Sequence, residues 1–76
     1  MKAPSVSGKK VVNVLTKNGF VVIRKKGSHF HLTKTIMSKT FHVTIPMHGN
    51  RDLNPFVLHS IARQAGYAFE EFVKLF

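Results

Sequence analysis

The sequence predicts an α+β domain in which two helices pack on one face of a three-stranded antiparallel sheet, in the order α-β-β-β-α, with a short helix at the C-terminus. Three observations predict this class. Apolar residues recur at helical spacing in two segments, apolar and polar residues alternate in two segments between them, and turn-forming residues separate the segments. We expect all 76 residues to form a single domain.

The first regular pattern follows an extended lead-in, residues 1–6, and predicts a helix. Ser7 is a suitable N-cap, and Asn18-Gly19 is typical of a helix end. Residues at helical spacing then share one face: Val11, Val14, Leu15 and Asn18. A strand is the alternative, because residues 11–14 are mostly β-branched and such residues are poor helix formers. The spacing and the cap favour the helix.

Three strands are predicted next, over residues 20–25, 29–34 and 40–45. Gly27-Ser28 predicts the first turn, and residues 35–38 predict a hairpin loop. Alternation places these side chains towards the core: Phe30, Leu32, Phe41, Val43 and Ile45. It places these on the opposite face: His29, His31, Thr33, His42 and Thr44.

A second helix is predicted after a polar loop, residues 48–53. Asn54-Pro55 has the order of an N-cap and a first helical residue, and Gly66 follows the expected end near Ala65. Its apolar stripe consists of Leu58, Ile61, Ala62 and Ala65. Further apolar residues at helical spacing predict the short last helix: Phe69, Phe72, Val73 and Phe76.

The charge of the chain is strongly asymmetric. Twelve Lys and Arg residues face three acidic residues, and residues 1–51 contain ten of the basic residues and no acid. Such a field attracts polyanions, namely nucleic acid or an anionic membrane surface. A merely solvated surface is the alternative, but it usually mixes both signs of charge. Nucleic acid or another polyanion is therefore favoured over a merely solvated surface.

The small size and the absence of Cys limit how the domain can be stabilised. Domains below about 70–80 residues bury a core worth only a few kcal/mol, and neither a disulfide nor a thiolate–metal site can reinforce this one. A homodimer or a partner protein could supply further burial. The chain has neither an apolar leader nor a stretch of about 18 apolar residues, so we expect a cytoplasmic protein with no membrane contact.

The acid content argues against metal-dependent hydrolysis of DNA. That reaction uses clustered carboxylates or histidines to hold metal ions, and Asp52 and Glu70-Glu71 are too few for a two-metal site. RNA carries its own nucleophile, the 2′-hydroxyl, so one base and positive charge around the phosphate suffice. The composition suits metal-independent cleavage of RNA, without a cofactor.

The segment most suited to this chemistry is residues 24–29, RKKGSH. Three cations precede a Gly-Ser turn whose backbone can approach a phosphate, and His29 can take up and return a proton near neutral pH. The alternative is a solvated hairpin with an incidental histidine. The candidate RNA contacts are Arg24, Lys25, Lys26, Gly27, Ser28 and His31.

The remaining histidines carry weaker signals. His42 is predicted to be a cross-strand neighbour of His31, but no third ligand is placed for a metal, so no metal site is expected. His48 is a loop residue within possible reach of substrate, and His59 is most simply an exposed helical residue. Four phenylalanines are expected in the core and not as platforms for bases: Phe30, Phe41, Phe69 and Phe72.

Four segments in order resemble the HicA family of toxins, also called YcfA-like proteins: VVNVLTKNGF, RKKGSHFHL, FHVTIPMHGNRDL and IARQAGYAFEEF. The resemblance covers about residues 7–72. It implies a fold like that of a double-stranded-RNA-binding domain and an endoribonuclease that cleaves mRNA, an mRNA interferase. It also implies a HicB-type antitoxin as partner, and it assigns the family's Gly-Ser-His to Gly27, Ser28 and His29, with His29 catalytic.

The sequence departs from the family at three places, one of which is Ala68, where the family often has a Ser that caps the last helix. The family often has a second histidine where Phe30 stands, and Lys-Gly-Thr-Leu before the second helix where Asn54-Pro55 begins a different segment. Two functions of other classes remain open. One is an RNA-binding module without catalysis, and the other is a basic interaction protein that binds an acidic partner.

Overall fold

The computed structural model describes residues 3–76, and the predicted order of elements is confirmed. Part of the predicted lead-in, Met1 and Lys2, lies outside the described residues. The elements are α1 (Gly8–Lys17), β1 (Val21–Lys26), β2 (His29–Ile36), β3 (Lys39–Pro46), α2 (Pro55–Gln64) and α3 (Phe69–Val73). None of the helices within residues 3–76 is long and apolar enough to span a membrane.

Burial explains why the β-branched segment near the N-terminus forms a helix. Ser7 caps α1 by accepting a hydrogen bond from the Lys10 N–H at 3.2 Å, as predicted. Three valines of α1 are buried in or beside the core: Val11, Val12 and Val14. Burial of one such side chain stabilises by about 1.5–3 kcal/mol, which exceeds a helix-propensity penalty of roughly 0.7 kcal/mol or less.

The second main helix begins and ends where the sequence predicts. The Asn54 side chain accepts a hydrogen bond from the Phe56 N–H at 2.7 Å, and Pro55 is the first helical residue. The predicted apolar stripe of α2 is buried: Leu58, Ile61, Ala62 and Ala65. Phe72 of α3 is fully buried as well, so the short last helix closes the core.

The three strands form one antiparallel sheet in the order β1-β2-β3. The predicted four-residue loop at residues 35–38 is wrong, because Ile36 pairs with Lys39 and only Met37-Ser38 lies between the strands. Met37 adopts a φ of +57° there, which closes the turn over two residues. A methionine gives no sequence signal for that conformation.

The two faces of the sheet differ as the alternation predicts. One face packs against the helices and contains Leu32, Val43 and Ile45, all fully buried. The other, which we call the open face, bears side chains that are exposed or half-buried: Arg24, Lys26, His29, His31, Thr33, His42 and Thr44. The functional candidates therefore lie mainly on the face that the core does not use.

The loop between β3 and α2 is attached to the start of the chain. The Leu53 N–H donates a hydrogen bond to the Val6 carbonyl at 2.7 Å, and Ser7 and Asp52 form an isolated antiparallel bridge. Leu53 is itself buried in the core. These contacts fix the backbone of the loop beside the end of β3.

Candidate active site

The Gly27-Ser28 turn places His29 at one end of the sheet. Gly27 has a φ of +57°, which glycine adopts without steric cost, and the turn joins the paired residues Lys26 and His29. His29 also pairs with Pro46 of β3, so it lies on the central strand between two neighbours. Its side chain is exposed. His29 is thus free to contact a substrate.

The three predicted cations do not all lie on one face. In the register, Lys26 is opposite His29 and Arg24 is opposite His31, so both cations flank histidines on the open face. Lys25 is opposite Phe30, and its Nζ lies 5.1 Å from the centroid of the Phe30 ring. The structure therefore brings Arg24 and Lys26 to the histidines and directs Lys25 to the other side of the hairpin.

An irregularity in β1 is responsible for the position of Arg24. The register shifts between Val22 and Arg24, so Ile23 is an extra residue in the strand, a β-bulge. Val22 is opposite the buried Leu32, and two residues further along a regular strand would face the core again. The bulge turns Arg24 to the open face instead. Sequence reasoning missed this bulge, because isoleucine is not a residue type that indicates one.

His31 and His42 form a pair next to Arg24. The Nδ1 atom of His31 is 3.3 Å from the Nε2 atom of His42 and 3.3 Å from the hydroxyl of Thr44, and the two rings stack. His42 pairs with Thr33 in the register, so it is a diagonal neighbour of His31 and not the direct cross-strand partner. The predicted proximity of the two histidines is nevertheless confirmed.

The surroundings of His31 keep its imidazole neutral. Desolvation of the half-buried ring lowers the pKa of His31, and the charges of His42, Arg24, His29 and Lys26 lower it further. Every one of these charges is positive when present, so each disfavours a second positive charge on the ring. His31 therefore offers a neutral donor and acceptor at physiological pH.

The other aromatic candidates lie where the sequence places them. His59 is exposed on α2 and stacks on Phe69 with a centroid distance of 3.6 Å. Phe72 is buried, and the remaining three predicted core rings are partly buried against the core: Phe30, Phe41 and Phe69. Across residues 3–76, no three His, Asp or Glu side chains cluster closely enough to hold a metal ion.

A pocket of about 320 Å³ adjoins this end of the sheet, and sequence reasoning missed it. It is lined by Pro46, His48, Arg51, Asp52, Leu53, Asn54 and Val57. The pocket combines the end of β3, the loop after it and the start of α2, and no single motif spans these three parts. One available signal was Asp52, the only acid before Glu70 in a very basic chain.

Comparison with known families identifies one match. A family model described as HicA toxin of bacterial toxin-antitoxin matches residues 8–67. The matched range includes α1, the whole sheet, α2 and the pocket loop. No curated protein and no solved structure matches the chain significantly. Because the family model covers well over half of the sequence, this chain belongs to the HicA family of toxins of bacterial toxin–antitoxin systems.

Proposed function

We propose that this HicA toxin is a metal-independent endoribonuclease that cleaves mRNA, with His29 as the general base. The observation that carries the proposal is the position of His29. Its side chain is exposed on the open face beside Lys26, and Arg24 and His31 lie opposite each other two residues further along β2. Toxins of this family are generally RNases, which supports the reaction class. The exposure of His29 and the cations beside it support the choice of this residue as the base.

The proposed reaction begins with a proton transfer. The imidazole of His29 takes the proton from a ribose 2′-hydroxyl, and the resulting oxygen attacks the adjacent phosphorus. The bond from phosphorus to the 5′-oxygen breaks, and His29 returns the proton that it took up to that leaving oxygen. The products are a 2′,3′-cyclic phosphate and a 5′-hydroxyl end. DNA lacks the 2′-hydroxyl and is not a substrate for this chemistry.

Positive charge around the phosphate stabilises the transition state. Arg24 and Lys26 extend from the same face as His29, and the Gly27-Ser28 backbone lies at the same end of the sheet. Charges placed where negative charge develops contribute strongly to such reactions. Lys25 lies on the other side of the hairpin, where it widens the RNA footprint without reaching the reacting phosphate.

His31 completes the proposed site as a neutral group. Its lowered pKa leaves the imidazole uncharged, so it binds RNA by hydrogen bonding and not by charge.

In a toxin–antitoxin system the toxin has an antitoxin partner. We propose that this partner is of the HicB type and that it covers the basic open face, so that RNA is excluded.

The direct test replaces His29 with Ala. Loss of a general base lowers rates by about 10²–10⁴-fold, so we expect a drop of this order in cleavage of single-stranded RNA by His29→Ala. His59→Ala is the matched control, because His59 is an exposed histidine on α2, stacked on Phe69. Both variants and the parent protein are assayed in EDTA, with RNA and with DNA of the same sequence.

Three results would contradict the proposal. One is cleavage by His29→Ala at the parental rate, and a second is loss of parental cleavage on chelation. The third is RNA binding by the parent protein without any product, which would favour a binding module without catalysis. Analysis of the RNA ends adds a check, since the proposed reaction leaves a 2′,3′-cyclic phosphate.

A further inference from the structure

The pocket beside the Gly-Ser-His turn has no part in the chemistry described so far. Its position is set by Pro46, which lines the pocket and pairs directly with His29. The Met47 N–H also donates a hydrogen bond to the Ser28 carbonyl, which joins the turn to the segment that enters the pocket loop. A ligand in the pocket is therefore a near neighbour of any phosphate at His29.

The size and walls of the pocket suit one planar ring system. Its volume of about 320 Å³ is at the low end of the range for small-molecule sites, about 300–1,000 Å³. Pro46, Leu53 and Val57 supply apolar walls, whereas Arg51, Asp52 and His48 supply polar groups. Pockets that hold an extruded nucleobase combine apolar or aromatic walls with hydrogen bonds to the edge of the base.

Asp52 is the group that gives this pocket a chemical preference. It is the only acid among the first 69 residues, and its carboxylate makes no hydrogen bond or ion pair with the residues that the structure describes. An ionised carboxylate only accepts hydrogen bonds. Its ligand must therefore present donors, in contrast to the phosphates that the surrounding cations attract.

Among the four RNA bases, guanine matches a carboxylate best. Its Watson–Crick edge presents the N1–H and the N2 amino group side by side, so that both can donate to the two carboxylate oxygens. Adenine and cytosine present one amino group each on that edge. The bridge to Ser7 holds the backbone from which the Asp52 side chain extends.

We propose that this pocket binds one unstacked guanine of the RNA, through Asp52, next to the phosphate at His29. The inference rests on the proposed function in that the bound RNA is the substrate, but it can be tested without cleavage. Arg51 and His48 line the same pocket and are suited to contact the phosphate or ribose of the bound nucleotide. The pocket thereby selects the position at which a strand is cut.

The test measures binding of 2′-O-methyl RNA tetranucleotides, which cannot be cleaved, by NMR titration. The oligonucleotides differ only at one base. We expect the parent protein to bind the guanine form at least about fivefold more tightly than the adenine form, as a bidentate contact to a base allows. Asp52→Asn replaces one of the two acceptor oxygens by an N–H₂ donor, so one of the two guanine donors loses its acceptor and the preference is expected to fall within about twofold.

Two further variants keep the result interpretable. Glu71→Gln removes one acid from α3, where Glu71 is exposed, and it should retain the guanine preference. Val57→Phe narrows the pocket while leaving Asp52 in place, and it should lose the preference. Circular dichroism confirms that each variant is folded. A parent protein without base preference, or Asp52→Asn with the parental preference, overturns the proposal.

Cleavage assays separate this proposal from the proposed function. If His29→Ala cleaves normally but Asp52→Asn loses the guanine preference, the pocket assignment holds and the catalytic assignment fails. If His29→Ala is inactive but Asp52→Asn binds and cuts with unchanged base preference, the catalytic assignment holds and the pocket assignment fails.

Discussion

His31 differs from the other histidines of the open face because its ring is half-buried and surrounded by positive groups. The lowered pKa of His31 also affects stability. In the unfolded chain His31 has its ordinary pKa of 6.5, so the unfolded chain binds a proton at His31 more tightly than the folded chain does. The contribution of His31 to stability is therefore fully present above pH 6.5 and is lost as pH falls from there through the lowered pKa.

The neighbour that contributes most to this effect by charge is His42. We expect His42→Ala to raise the pKa of His31 towards its ordinary value, because a positive neighbour and part of the covering surface are both removed. NMR titration of the imidazole protons measures the change, with His59→Ala as a control that should leave the titration of His31 unaltered. An unchanged titration of His31 in His42→Ala would contradict this account.

At the scale of elements, the sequence predicts segments well and their connections less well. The alternation in β2 and β3 is visible because each apolar residue of the core face has a polar neighbour, as in His31-Leu32-Thr33. The turn at Met37 was missed because a left-handed residue is usually expected to be Gly, Asn or Asp. The bulge at Ile23 was missed because it depends on pairing with β2.

The Met37 turn leads to a prediction about stability. Met37 is 97% exposed and has a φ of +57°, so it makes little contact that would offset its left-handed conformation. That conformation costs about 1–2 kcal/mol for an ordinary residue, and asparagine tolerates it better. We therefore expect Met37→Asn to raise the free energy of unfolding by roughly 0.5–1 kcal/mol in chemical denaturation.

The matched control for Met37→Asn is Ser38→Asn. Ser38 lies in the same turn without a positive φ, so its replacement should change stability by less than about 0.5 kcal/mol. Equal effects of the two substitutions would mean that the backbone conformation of Met37 carries no penalty.

At the scale of the whole molecule, some of the positively charged residues lie on the open face and others lie elsewhere on the surface. Arg24 and Lys26 flank histidines on the open face, whereas Lys74 lies on the C-terminal segment with its Nζ 3.6 Å from a Glu71 carboxylate oxygen. Composition predicts RNA as the partner, but it does not say which cations contact it. The pocket is likewise invisible in composition, since it is assembled from separate parts of the chain.

The salt dependence of RNA affinity distinguishes direct phosphate contacts at the open face from diffuse attraction by the other cations. Each phosphate contact to a single strand contributes about 0.7 to the slope of log affinity against log salt concentration. We expect Arg24→Gln and Lys26→Gln each to reduce that slope by about 0.7 with non-cleavable RNA, and Lys74→Gln to leave it nearly unchanged. A loss of the same size in all three variants would indicate diffuse attraction without contacts at the open face.

The bulge at Ile23 also makes β1 a poor pairing partner for a second copy of the chain. β1 is an outer strand, and Val21 and Ile23 are exposed along it, which would otherwise favour pairing with a second strand and aggregation. The extra residue interrupts the regular spacing of amide and carbonyl groups, and the lysines that follow repel an identical strand. The β1 edge thus stays accessible and cationic while its backbone is poorly suited to pairing with an identical strand.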